Sequence, residues 1–205
     1  MEKKTVLFVV LDKFADWEGS ALAAELQQPS AEKPSLSFDV KTLSLSKEPI
    51  RSIGGFTVLP DYDLNDRPKE YSGLILIGGD SWRNPEAEPI AELVQEALDK
   101  GAIVGAICDA TTFLAKHGFL NAVRHTGNFL NDFKSFAGST YTNEANFLLD
   151  EAVIDGNLIT ANGNAPIQFG KLVLDALGAD PEVNQMWVDF HSLGFHPALR
   201  KYGWE

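Results

Sequence analysis

Ala102-Ile103-Val104-Gly105-Ala106-Ile107-Cys108-Asp109-Ala110-Thr111-Thr112-Phe113-Leu114-Ala115-Lys116-His117-Gly118 divides at its cysteine into two kinds of structure. The first six residues are apolar and partly β-branched, as a strand buried in the centre of a sheet requires. Residues 109–117 read as a helix, and Gly118 closes it. A side chain at such a junction stands on a tight turn above the sheet edge, with a helix N-terminus behind it. Ala106 and Ala110, two positions to either side, are small enough for that turn to close, as in a nucleophile elbow. The helix dipole favours a thiolate there, so Cys108 is expected to ionise below the free-cysteine value of about 8.5. The plainer alternative is a small buried hydrophobe; the elbow context favours the reactive reading.

Working outward, strands and helices alternate. Thr5–Leu11 reads as a strand followed by a helix over Trp17–Gln28, and Ser37–Leu43 as a second strand. Ile50–Leu59, broken by Gly54-Gly55, resembles a hairpin. Gly73–Ile77 is a buried strand ending in Gly78-Gly79-Asp80, with a helix at Pro89–Lys100 before the Cys108 strand. Ala152–Ala161 holds Asp155-Gly156-Asn157 between two short apolar runs, and Ile167–Leu177 is a helix ended by Gly178. This alternation predicts an α/β fold with a mostly parallel central sheet covered on both faces. We find no repeat, linker or low-complexity block, and 205 residues suit a single domain. Residues 181–205 form an aromatic-rich C-terminal extension containing Trp187, Phe190, Phe195, Tyr202 and Trp204. It either packs on the body or takes part in a dimer contact; aromatic residues are mostly core, which favours the first.

Composition narrows the function classes. A hydrophobic share of 44% against 22% charged residues is that of an ordinary soluble globular protein. No apolar run approaches the roughly 18 residues of a membrane span. The run Val6–Leu11 is too short for a signal peptide and reads as the first strand. A net charge of −12 disfavours nucleic acid and anionic membranes as partners. One cysteine offers neither a disulfide framework nor a cysteine metal cage, so a reducing cytoplasm is the expected compartment. Four histidines without paired ligand spacing give no metal site, and no cofactor is expected.

In parallel α/β folds ligands gather at the carboxyl ends of strands. Three segments reach that edge: Asp12–Glu18, Gly78–Trp82 and Cys108. Glu18, at a helix start, can serve the thiol as acid or base; without the cysteine it would be a carboxylate favoured by the helix dipole. Gly78 and Gly79 allow close backbone approach, and the N–H groups of Gly79 and Asp109 are candidate oxyanion donors; a plain tight turn is the competing account. Carboxylates at Asp16, Asp80 and Asp109 oppose a thiolate. A protonated Glu18, desolvated beneath Trp17 or Trp82, relieves part of that conflict.

These pieces resemble the ThiJ/PfpI superfamily, whose fold is related to class I glutamine amidotransferase domains. The matching residues are Val6–Val10 with Glu18, Leu74–Gly79, Ala106–Thr111 and Leu114–Asn121, and the likeness spans most of residues 5–178. The resemblance implies a flavodoxin-like three-layer sandwich, an elbow cysteine, a partly protonated glutamate touching it, and a homodimer. Members often carry a histidine directly after the cysteine, where Asp109 stands here, or shortly after a following Gly-Leu-Leu segment. Aligning Thr126 with the family's threonine puts Asn128 at the second place, with His125 three residues earlier. An Asn128 amide can orient a partner or bind an oxyanion but cannot shuttle protons. His125 either faces the pocket or lies away from it.

Two classes of function follow. The first is a cysteine-dependent hydrolase, protease- or amidase-like, or a glyoxalase-like carbonyl-adduct enzyme acting on a small substrate. The second is a redox or stress-response sensor, or a chaperone, in which Cys108 is oxidised or the pocket binds without turnover.

Overall fold

The computed structural model describes residues 4–28 and 38–204; Ser37, the expected start of the second strand, lies outside them. The strands are β1 (Lys4–Val9), β2 (Phe38–Leu43), the short β3 (Ile50–Arg51) and β4 (Thr57–Val58), β5 (Gly73–Leu76), β6 (Ile103–Ile107), β7 (Ala152–Asp155) and β8 (Leu158–Ala161). Six of them form one sheet in the order β2-β1-β5-β6-β8-β7. All its pairs are parallel except β7 with β8, which makes an antiparallel edge. β3 and β4 pair as the expected hairpin.

The uniformly apolar strands are buried on both faces, so alternate residues feed two different cores. Leu7, Val9, Leu74, Leu76, Val104 and Ala106 point into one core. It is closed by α2 (Ile90–Asp99), α3 (Asp109–Lys116) and α4 (Leu130–Ala137). Val6, Phe8, Ile75 and Ile107 point into the other, closed by α1 (Asp16–Gln27), α5 (Pro166–Ala176) and Trp187 of α6 (Pro181–Leu193). A last helix, α7 (Phe195–Lys201), follows. Gly105 keeps the middle of β6 thin, because a Cβ there would sit 2.8 Å from the Phe169 ring. The result is the covered, mostly parallel sheet that the strand and helix pattern predicts, in the three-layer flavodoxin-like form that the family resemblance implies.

Strand order reverses direction at β1, which has β2 on one side and β5 on the other. The crevice above such a switch is where this topology binds ligands, and the loops after β1 and β5 are joined there. Ala15 N donates to Gly78 O at 2.9 Å and Asp80 N to Lys13 O at 3.1 Å. Gly79 makes this contact with φ +147°; a Cβ would fall 2.3 Å from Lys13 O. Only glycine fits.

Candidate active site

Cys108 caps the start of α3 with φ 60° and ψ −131°, outside the regions an L-residue favours. Such strain costs on the order of 1–3 kcal/mol and is held by its surroundings. Here Cys108 N donates to Ala161 O at 3.0 Å, and Thr111 N and Oγ1 donate to Cys108 O at 3.1 and 2.6 Å. Ala106 and Ala110 are fully buried beside the turn. The elbow is present.

Glu18 stands in the first turn of α1, 1% exposed. Its Oε2 accepts from Gly78 N at 2.8 Å, so Gly78 fixes the carboxyl instead of serving as a free donor. Its Oε1 is buried with no hydrogen bond of fixed geometry and faces the sulfur. Two glycines enclose the pair. A Cβ on Gly78 would lie 2.5 Å from both Cys108 Cβ and Glu18 Oε2, and one on Gly163 would lie 2.9 Å from Sγ and 3.1 Å from Oε1.

Asn128 Nδ2 donates to Sγ at 3.3 Å, while its Oδ1 accepts from Gly163 N at 2.8 Å. The second bond sets which way the amide faces: the end with protons meets the sulfur. Trp17 walls the site, its indole Nε1 donating to Gly163 O at 3.3 Å. The Asp109 carboxylate turns away from the sulfur to Arg83, with Nε–Oδ2 and Nη2–Oδ1 distances of 2.9 and 2.6 Å, and Arg83 also reaches Asp132 at 3.1 Å. Its charge is thereby compensated, and its N–H remains at the sulfur.

Electrostatics depart from the sequence expectation. Burial raises the Glu18 carboxyl to about 7, outweighing the lowering by the Cys108 thiol and Gly78 N–H. Burial, then the nearby Glu18 charge, pushes the Cys108 thiol up to about 12, and the donors at Asn128 and Asp109 offset only part of this. Desolvation and the Glu18 charge thus act against the expected depression of the thiol, and exceed what a helix start and two N–H donors supply.

Two predicted pocket residues lie elsewhere. Trp82 is buried on the opposite layer, tilted against Phe113, with its Nε1 donating to Ile77 O at 2.7 Å; it desolvates nothing at Glu18. His125 is fully buried among Phe133, Tyr141 and Phe147, its Nδ1 2.8 Å from Val123 O and its Nε2 2.7 Å from Tyr141 OH. The bridge between His125 and Phe147 turns the ring inward, so that residues 126–128 face the cleft in its place. His117 lies on the Phe113 ring, 3.4 Å from Glu88. No histidine borders either cleft at Cys108.

Sequence reasoning missed Gly163 and Arg83. The first had a signal: Asn162-Gly163-Asn164 follows β8, a fourth strand end at the same edge. Arg83 had only its place next to the Gly78–Trp82 segment; its pairing with Asp109, and with Asp132 of α4, depends on how the loops meet. No group of three or more His, Cys, Asp or Glu side chains suited to a metal occurs among the described residues, and none of their helices is long and apolar enough to cross a membrane.

Two clefts of about 520 and 510 Å³ meet at Trp17, Glu18, Cys108 and Asn128. The chain is 40% identical to the Bacillus subtilis (strain 168) protein named uncharacterized protease YdeA, over 98% of this chain and 97% of that one. It is 28% identical to the Caenorhabditis elegans glutathione-independent glyoxalase DJR-1.2, over 69% of this chain and 74% of that one. The crystal structure of a thiJ/pfpI family protein from Bacillus anthracis superposes with a TM-score of 0.90 at 33% identity, covering 98% of this chain and 96% of that one. The DJ-1/PfpI family model matches residues 4–176, and the chain belongs to that family.

Proposed function

We propose that the protein is a cysteine-dependent enzyme that adds Cys108 to the aldehyde of a small carbonyl substrate, with Glu18 moving the protons. The observation that carries this is the enclosed Glu18–Cys108 pair, in which a carboxyl near pH 7 faces a thiol with no histidine at hand. A thiol pushed up by burial needs a base at the moment of attack, and a group with that pKa is suited to the task. Glu18 takes the thiol proton as Sγ bonds to the aldehyde carbon, and the C=O π pair moves onto oxygen. The N–H groups of Gly79 and Asp109 are the proposed oxyanion donors.

With a 2-oxoaldehyde, protonating that oxygen gives a hemithioacetal. Glu18 then carries the C1 proton to C2 while the C1 hydroxyl proton passes to the C2 oxygen, which yields the thioester of a 2-hydroxy acid; water hydrolyses it and returns the proton to Sγ. C1 is oxidised as C2 is reduced, so 2-oxoaldehyde plus water gives the 2-hydroxy acid and no outside oxidant or reductant is needed. The glyoxalase named among its relatives agrees with this chemistry, although at 28% identity.

Incubation with methylglyoxal should yield lactate, and Cys108→Ser and Glu18→Gln should each lower the rate at least about a hundredfold. Wild-type turnover undiminished in either variant would refute the assignment. Cleavage of peptides or glutamine-like amides without aldehyde turnover would instead favour the hydrolase that the 40% relative's name suggests. Sulfur oxidation is a second reading, supported by Asn128 Nδ2 and Asp109 N–H at the sulfur, where they would hold a sulfinate. Peroxide treatment followed by intact-mass measurement tests it. A homodimer in a reducing cytoplasm belongs to the same proposal, and sedimentation at twice the monomer mass is its test.

A further inference from the structure

Resting on that reading, we infer that the substrate carries a neutral apolar substituent, aryl or branched alkyl, beside its reactive carbon and no anionic group. The larger cleft at Cys108 has an apolar rim formed by Trp17, Phe129, Phe147 and Leu149. Leu149 is 97% exposed, Phe129 67% and Trp17 51%, an unusual amount of uncovered apolar surface beside a reactive sulfur. The Trp17 indole is not loose, because its hydrogen bond to Gly163 O holds it against the same glycine that covers the sulfur. A flat or branched apolar group has a fixed wall to pack on.

Charge excludes the alternative. Among the described residues, the charged side chains lining this cleft are Glu18, Asp150 and Glu151, with no lysine, arginine or histidine in its walls. The smaller cleft has Arg83, but two carboxylates already hold that guanidinium. A substrate carboxylate or phosphate would therefore enter a negative field with no free cation among the described lining residues to meet it. Neutral substrates meet no such barrier.

Alkylation of Cys108 tests the inference without requiring turnover, so failure of the aldehyde chemistry leaves the test intact. Rates would be measured at low salt with iodoacetamide, iodoacetate and N-benzyliodoacetamide on the full chain, with 2-mercaptoethanol as the reference thiol. The neutral-to-anionic rate ratio at Cys108 should exceed that of the reference by about tenfold. The doubly substituted Asp150→Asn/Glu151→Gln protein, altered only at exposed positions, should lose most of this excess. The benzyl reagent should react with saturation, and Phe129→Ala should raise its half-saturating concentration severalfold. Iodoacetate reacting at the reference ratio, a benzyl group bringing no advantage, or no labelling of native protein by any reagent would each overturn the inference.

Discussion

Burial raises the Glu18 carboxyl to about 7, beside a thiol that the same burial holds in its protonated form. Between pH 4.5, where an exposed glutamate titrates, and about 7, the folded chain binds more protons at Glu18 than the unfolded chain does. Stability from this group is thus full below the unfolded value and is lost as pH rises through the folded one. The loss is on the order of 3 kcal/mol, from 1.36 kcal/mol per unit. Glu18→Gln, which keeps the acceptor for Gly78 N, should be more stable than wild type at pH 8 by about that amount and gain nothing at pH 4.5; denaturant melts at the two values decide it. Reactivity should move the other way. With Glu18 as its base, wild-type alkylation should rise as that carboxyl ionises, with a midpoint at about pH 7. In Glu18→Gln the midpoint should climb above the free-thiol value of about 8.5, because burial remains and the base is gone. An unchanged midpoint would remove Glu18 from proton transfer.

Among the elements, those whose burial is two-sided were the legible ones. β1, β5 and β6 carry uninterrupted apolar runs, and Cys108 and Glu18 follow from where such runs stop. α4 and the stretch to β7 were not legible: Phe133, Tyr141, Phe147 and His125 form one aromatic cluster from positions with no steady period. His125 could not be oriented before Tyr141 was known to lie against it. Nor could Trp82, whose inward turn depends on the carbonyl of Ile77. The loop after β8 gives this scale its prediction. Gly163→Ala places a methyl 2.9 Å from Sγ and 3.1 Å from Glu18 Oε1, and Gly163 is partly exposed, so the loop can shift outward. Its N–H then leaves Asn128 Oδ1, and the amide loses the bond that aims its protons at the sulfur. Thiol reactivity should fall about tenfold or more while the melting temperature changes little, since an outward shift of the loop relieves the overlap without disturbing the core. A large loss of stability with unchanged reactivity would mean that Gly163 serves the fold and not the site.

Across the whole molecule, the helices that follow the family-matched region bear on how residues 181–205 relate to the sandwich. α6 lies on α5, and Trp187 inserts over Gly170, where a Cβ would stand 2.8 Å from the indole, with Leu22 of α1 beneath. Trp187 thereby joins the same core as Phe169 and Val173 on the sheet face that carries Glu18. Asp180 caps α6 by accepting from Glu182 N at 2.9 Å, and Asn184 Nδ2 ties it to Asp175 at 2.6 Å. An extension attached this way should melt with the sandwich and not before it. Trp187→Ala removes a large buried side chain at a cost of about 3–5 kcal/mol. At roughly 2–4 °C per kcal/mol for a chain of this size, the single thermal transition should fall by about 10 °C. Calorimetry distinguishes the cases. One shifted transition makes residues 181–205 part of one cooperative unit, whereas an early minor transition with the main one unmoved would make them a separable appendage. Because α1 lies under Trp187, the first outcome should also loosen Glu18, seen as a lower pH midpoint of Cys108 alkylation once water reaches the carboxyl.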